Sequence, residues 1–189
     1  GWRLLLMDRR RSLGFSLIEL MVTITVLGVL TTLALPSFSR WMANTRLRSM
    51  AESVQNGLRL AQREAASRNG SVSFILTNDT PPDCSSATAS SGKNWVVCAG
   101  STLIQQNVGK AGSTDAVVAS DFSSVGFDGL GRTNLGGPAQ VAITSSSGSC
   151  ETASTDGIRC LTVQISPGGK VRFAILAWTQ AIRRPAVEV

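Results

Sequence analysis

Apolar residues run almost unbroken from Phe15 to Leu35, then thin into a helical stripe, then scatter into short alternating segments. The first stretch spans 21 residues with Glu19 as its only charge. At 1.5 Å per residue, a helix of that length is about what a bilayer core requires. Between Ser37 and Arg68 the apolar positions Leu47, Met50, Ala51, Val54, Leu58, Ala61 and Ala65 recur every three or four residues. They lie opposite Arg46, Arg48, Glu52, Gln55, Arg59 and Arg63. That spacing predicts an amphipathic helix continuing the first and stopped by Asn69-Gly70. Gly28 and Pro36 loosen it, glycine by its freedom and proline by the hydrogen bond it removes. After Gly70 the period changes. Predicted strands are Val72–Leu76, Trp95–Ala99, Ser101–Asn107, Ala116–Asp121, Ser124–Phe127, Gln140–Thr144, Arg159–Ser166 and Val171–Trp178. Asp128-Gly129 and Pro167-Gly168-Gly169-Lys170 are turn signals, the second making a hairpin of the last two strands. Thr77–Lys93 reads as a long Pro/Ser-rich loop. The predicted fold class is α+β: a long N-terminal helix packed on antiparallel sheet in one globular domain.

Composition narrows the chemistry. Charged residues make up 16% and apolar ones 43%, and there is no His or Tyr. Histidine-dependent triads and His-built zinc sites are therefore excluded. Asp115, Asp121, Asp128 and Asp156 are scattered among turn residues, where aspartate is expected for backbone reasons. Ser145-Ser146-Ser147 has no base beside it. No active site, cofactor or metal centre emerges, and the expectation is a protein that is not an enzyme. The net charge is +6, of which Arg3, Arg9, Arg10 and Arg11, less Asp8, contribute +3 before Gly14. What remains beyond Gly14 is too small to imply nucleic-acid binding without a local cluster.

Cys84, Cys98, Cys150 and Cys160 all lie beyond the apolar stretch. An even count in an exported chain reads as two disulfides. Nearest-neighbour pairing, Cys84–Cys98 and Cys150–Cys160, closes loops of about 15 and 11 residues, worth roughly 3 kcal/mol for the first and slightly less for the second. Four reduced cysteines are the alternative. A four-cysteine metal site lacks the short C-x-x-C chelate.

A carboxylate inside a membrane-length helix costs on the order of a few kcal/mol and marks a functional candidate by default. Before Glu19 stands a basic stretch ending in glycine, Arg9-Arg10-Arg11-Ser12-Leu13-Gly14. Its arginines place that end of the span in the cytoplasm. A secretory signal would instead be cut after the apolar run, where Ala34-Leu35-Pro36 is a poor site. The whole pattern, RRRSLG followed by FSLIELMVTITVL, closely resembles the cleavage and assembly signal of type IV pilins and pseudopilins. That resemblance implies cleavage between Gly14 and Phe15 by a prepilin peptidase, N-methylation of Phe15, and retention of the helix. It also implies that Glu19 pairs with the Phe15 amine of a neighbouring subunit.

The expected organisation is a leader over residues 1–14, with Met7 a candidate true start. A transmembrane and filament-core helix follows over 15–36, then an amphipathic helix over 37–70 and a β-rich periplasmic domain with a C-terminal tail over 71–189. The segments LRLAQREAASRNG, VGFDGLGR and CLTVQISPGGKVRF are similar to FimT/FimU-type minor pilins, which share a domain with the minor pseudopilin GspH of type II secretion. The resemblance implies a pilin-like fold and a minor pilin that helps initiate a type IV pilus, supporting motility, adhesion or DNA uptake. It also implies a single-pass inner-membrane protein with its globular domain in the periplasm, destined for a pilus or a periplasmic pseudopilus. Implied partners are the prepilin peptidase/N-methyltransferase, other minor pilins and the major pilin, the inner-membrane assembly platform, and the lipid bilayer before assembly. Two alternatives stay open. One is a GspH-like pseudopilin of type II secretion. The other is a DNA-binding minor pilin for natural transformation, using Lys170 and Arg172 of Gly169-Lys170-Val171-Arg172 with Arg183 and Arg184 nearby. Here Lys170 replaces the arginine usual in such proteins, a point charge in place of a fork.

Overall fold

The computed structural model describes residues 14–109, 116–151 and 157–175. The chain divides into two compact units, Gly1–Ser39 and Arg40–Val189. A helix, α1 (Leu17–Arg68), begins in the first and ends in the second. Ser16 starts it: its Oγ accepts from the Glu19 N–H at 3.2 Å and its carbonyl from the Leu20 N–H at 3.1 Å. This is N-terminal capping, which satisfies donors the first turn would otherwise leave open. Asn69 ends it in the left-handed region, φ 46°. The Gly70 N–H then reaches the Ala65 carbonyl at 3.1 Å and the Asn69 N–H the Ala66 carbonyl at 3.3 Å. That pair of bonds is a Schellman stop.

In the second unit all seven predicted stripe positions of α1, Leu47 through Ala65, are buried. They pack on two four-stranded antiparallel sheets. The strands are β1 (Val72–Thr77), β2 (Asn94–Ala99), β3 (Thr102–Asn107), β4 (Ala116–Ser120), β5 (Ser124–Phe127), β6 (Ala139–Ser145), β7 (Leu161–Ile165) and β8 (Val171–Ile175). The first sheet runs β3-β2-β1-β5 and the second β4-β6-β7-β8. Alternation decides their inner faces. Val72, Phe74, Leu76, Trp95, Val97, Val125 and Phe127 come from the first sheet. Val118, Val141, Ile143, Val163 and Ile165 come from the second, and all join α1 in one hydrophobic cluster.

Cys84 is bonded to Cys98 and Cys150 to Cys160, with Cα separations of 5.8 and 5.3 Å. The first ties the loop after β1 to β2. That loop is further organised by the exposed Asp83, held below the ordinary carboxylate range chiefly by the Ser85 hydroxyl, with Ser85 and Ser86 contacts adding to it. Near the second disulfide, Ile158 makes only an isolated bridge to Cys150. The strand predicted from Arg159 therefore begins at Leu161. The last strand is described to Ile175, so its predicted continuation to Trp178 lies outside the described residues.

Candidate assembly helix and a basic groove

Phe15 is 81% exposed and the large apolar side chains from Leu17 to Leu30 are 53–76% exposed. In the second unit the apolar stripe of α1 from Leu47 to Ala65 is buried instead. The segment's hydroxyls are turned inward on the helix itself. Thr23 donates to the Leu20 carbonyl at 2.8 Å, Thr25 to Met21 at 2.7 Å, Thr31 to Gly28 at 2.8 Å and Thr32 to Val29 at 2.7 Å. Back-bonding of this kind lets threonine sit in an apolar surface without offering an unsatisfied donor. Glu19, also exposed, breaks that surface one turn in. Sequence reasoning missed Ser16, although the Ser16-x-x-Glu19 spacing is a readable capping signature.

Among the described residues no single helix is long and apolar enough to cross a membrane. Leu17–Thr32 taken with Ser37–Arg68, across a break, passes by length and composition.

Of the basic residues expected to bind DNA, Arg172 lies on β8 of the second sheet and Lys170 immediately precedes it. Gln140 of β6 faces Gln164 of β7, which faces Arg172 of β8, so the three form one cross-strand row. Lys170 and Arg172 line a groove of about 310 Å³ with Gln140, Gln164 and Ser166. The Gln140 side-chain oxygen is buried in the structure without a hydrogen-bond partner. Arg183 and Arg184 lie outside the described residues. Lys170 owes its place to Gly169, whose φ is +81°. A Cβ on Gly169 would strike the Gly131 carbonyl and come within 2.5 Å of the Gln62 side-chain nitrogen. That nitrogen donates to the same Gly131 carbonyl at 2.9 Å, linking α1 to the loop after β5. Gln62 could not have been singled out in advance, because its partner is 69 residues away.

The scattered aspartates serve the backbone. The Asp121 carboxylate accepts from the Gln140 N–H at 3.0 Å, and Asp128 Oδ1 accepts from the Leu130 and Arg132 N–H groups at 2.9 and 2.8 Å. Asp115 and Asp156 lie outside the described residues. Among the described residues no three metal-ligating side chains cluster.

Residues 50–169 match the family described as type II transport protein GspH. The chain belongs to the GspH family of type IV pilins and pseudopilins. Residues 9–35 match the prokaryotic N-terminal methylation motif, which implies prepilin peptidase processing, membrane anchoring and assembly with other pilins. The fold is similar to that of the type IV minor pilin FimU of Pseudomonas aeruginosa, at 17% identity. That match covers 69% of this chain and 89% of that one, with a TM-score of 0.53. A second crystal form of FimU matches at 16% identity over 67% of this chain and 91% of that one, with a TM-score of 0.48. The family is structural, not known for catalysis.

Proposed function

We propose that this protein is a minor pilin that helps initiate and build a type IV pilus. Cleavage between Gly14 and Phe15 leaves the helix in place and frees the Phe15 amine. The helix then bundles with its neighbours, and Glu19 sets register by pairing with the amine of an adjacent subunit. The observation that carries this reading is the contrast between the α1 stripe Leu47–Ala65, buried in a hydrophobic core, and the segment Leu17–Leu30, whose large apolar side chains are more than half exposed. Apolar surface of that extent calls for lipid or protein around it.

Breaking a buried ion pair by deleting one partner typically costs about 3 to 5 kcal/mol. Glu19→Val should therefore leave the protein's membrane level unchanged while reducing its entry into filaments at least tenfold. Normal incorporation would refute the assignment. The basic groove leans the reading towards the pilus over type II secretion, and deletion of the gene with piliation and secretion scored separately decides between them. DNA uptake is a second reading, supported by the convergence of Lys170 and Arg172 on one groove.

A further inference from the structure

We infer that the groove between α1 and the edge strand β3 binds a neutral oligosaccharide carrying acetamido groups. The inference concerns the second unit alone and does not rest on the filament reading.

The groove exists because the inner face of the first sheet extends beyond what α1 covers. Register carries the inner-face row from Trp95 and Val97 of β2 onto Asn107 and Gln105 of β3. Trp95 and Val97 are buried in the core, whereas Gln105 is exposed and Asn107 half-buried. Core-facing positions are ordinarily apolar, and an edge strand is usually blunted with charge or proline. Here both positions are taken by uncharged amides. Opposite them α1 presents Ser49, Ser53, Asn56 and Leu60, which share one helix face at spacings of three and four. The two walls enclose about 420 Å³, with Trp95 as the floor. Gly57 lets that floor approach the helix, since a Cβ there would lie 3.1 Å from two indole carbons. The indole N–H donates to the Ser53 hydroxyl at 3.0 Å, which leaves the Ser53 O–H available as a donor. The side chains of Ser49, Asn56, Gln105 and Asn107 make no hydrogen bond among the described residues.

Charge stands towards the two ends of the groove. Glu52 and Arg63 line it eleven residues apart, about 16 Å along the helix. Glu52 accepts from Arg48 Nε at 2.8 Å, and Arg63 Nε donates to the Arg59 carbonyl at 3.2 Å. The centre is therefore uncharged, which disfavours a phosphate chain, because a polyanion is held by several cations. Three amides, each with two donors and an acceptor, match a ligand whose own groups both donate and accept. Sugar hydroxyls and acetamides are such groups. Leu60, partly buried against the core, supplies an apolar contact among them, which suits an acetamido methyl whose N–H and C=O reach the flanking amides. An apolar floor with a few placed polar groups is the usual make-up of a small-ligand site. A peptide strand would instead pair with the backbone edge of β3, which uses none of these side chains.

The test is calorimetric titration of the full chain in phospholipid nanodiscs with three probes. These are chitotetraose, cellotetraose (which lacks the acetamido groups) and a heparin tetrasaccharide as a polyanion. The expected result is saturable binding of chitotetraose in the millimolar range or tighter, and no binding of the heparin probe. Cellotetraose should bind about tenfold more weakly, for the acetamido hydrogen bonds it lacks. Asn56→Ala and Asn107→Ala should each weaken chitotetraose binding about threefold to tenfold, the loss of one or two hydrogen bonds. Both variants should keep the wild-type Tm, because neither amide is bonded in the free protein. No binding of chitotetraose, equal or tighter binding of cellotetraose or heparin, or unchanged affinity in both variants would overturn the inference. None of these outcomes bears on filament entry, which Glu19→Val tests separately.

Discussion

Gly57 offers a sharp test of how α1 packs on the first sheet. Glycine inside a helix is worse than alanine by about 0.5–1 kcal/mol, so on an exposed face Gly57→Ala should stabilise. Here a Cβ would lie 2.7 Å from Cε2 of Phe74 and 3.1 Å from two indole carbons of Trp95. Neither ring is free to yield. Phe74 is 0% and Trp95 3% exposed, and their centroids are 5.6 Å apart. The indole N–H is also committed to the Ser53 hydroxyl at 3.0 Å. Overpacking of this kind costs about 1–3 kcal/mol, which outweighs the helix gain and leaves a net loss of about 1–2 kcal/mol. The fragment Arg40–Val189 contains every buried core residue described. For a domain of its size that loss corresponds to a Tm lower by about 3–6 °C, measurable by circular dichroism. Shrinking the ring should relieve the clash, so Gly57→Ala combined with Phe74→Leu should cost less than the sum of the two, by at least ~0.5 kcal/mol. An unchanged or raised Tm for Gly57→Ala, or strict additivity of the pair, would refute the proposed contact.

Two other predictions are more direct. Replacing Cys84 and Cys98 together by Ser should lower stability by roughly 3 kcal/mol and replacing Cys150 and Cys160 slightly less, read from urea midpoints at constant m. Neutral double variants, or four titratable thiols in the folded protein, would show that the bonds do not form. If the basic groove binds duplex DNA, Lys170→Ala with Arg172→Ala should flatten the log–log salt dependence by about 1.8, at ~0.9 per lost phosphate contact. Binding unaffected by that double change removes these residues from any DNA-binding claim.

The elements were legible because periodicity is local. The three-and-four spacing from Leu47 to Ala65 named the buried face of α1, and each of the eight predicted strands overlaps an observed one, the last over the described residues to Ile175. Sheet membership was not legible. β1 finds its second partner in β5, some fifty residues on, while the intervening β4 joins β6 in the other sheet. Alternation states which face is buried but not which strand lies alongside. The same holds for Gln62 and Gly169. One read as a polar helix position and the other as a turn glycine, and only the fold brings both to the Gly131 carbonyl. In the basic groove, Lys170 and Arg172 were singled out by the resemblance of Gly169-Lys170-Val171-Arg172 to a stretch of FimT-like minor pilins, whereas the Gln140–Gln164–Arg172 row required the register of three strands.

Glu19 carries two physical roles that a single substitution confuses. It stands three residues after the capping Ser16, in the first turn of α1, where a carboxylate suits the helix N-terminus. It is also the proposed partner of another subunit's amine. Loss of a cap costs about 1 kcal/mol, whereas a pairing lost in a water-poor helix bundle costs about 3 to 5 kcal/mol. Glu19→Gln separates the two, because glutamine serves at this capping position as glutamate does but carries no charge. If pairing dominates, Glu19→Gln should fail to enter filaments as completely as Glu19→Val, while Ser16→Ala, which weakens the cap and keeps the charge, should assemble with only a modest loss. Membrane levels of all three should match the wild type, since none adds a charge to the apolar segment. The opposite order, with Glu19→Gln normal and Ser16→Ala defective, would make Glu19 a helix-starting residue and leave the filament without its proposed register signal.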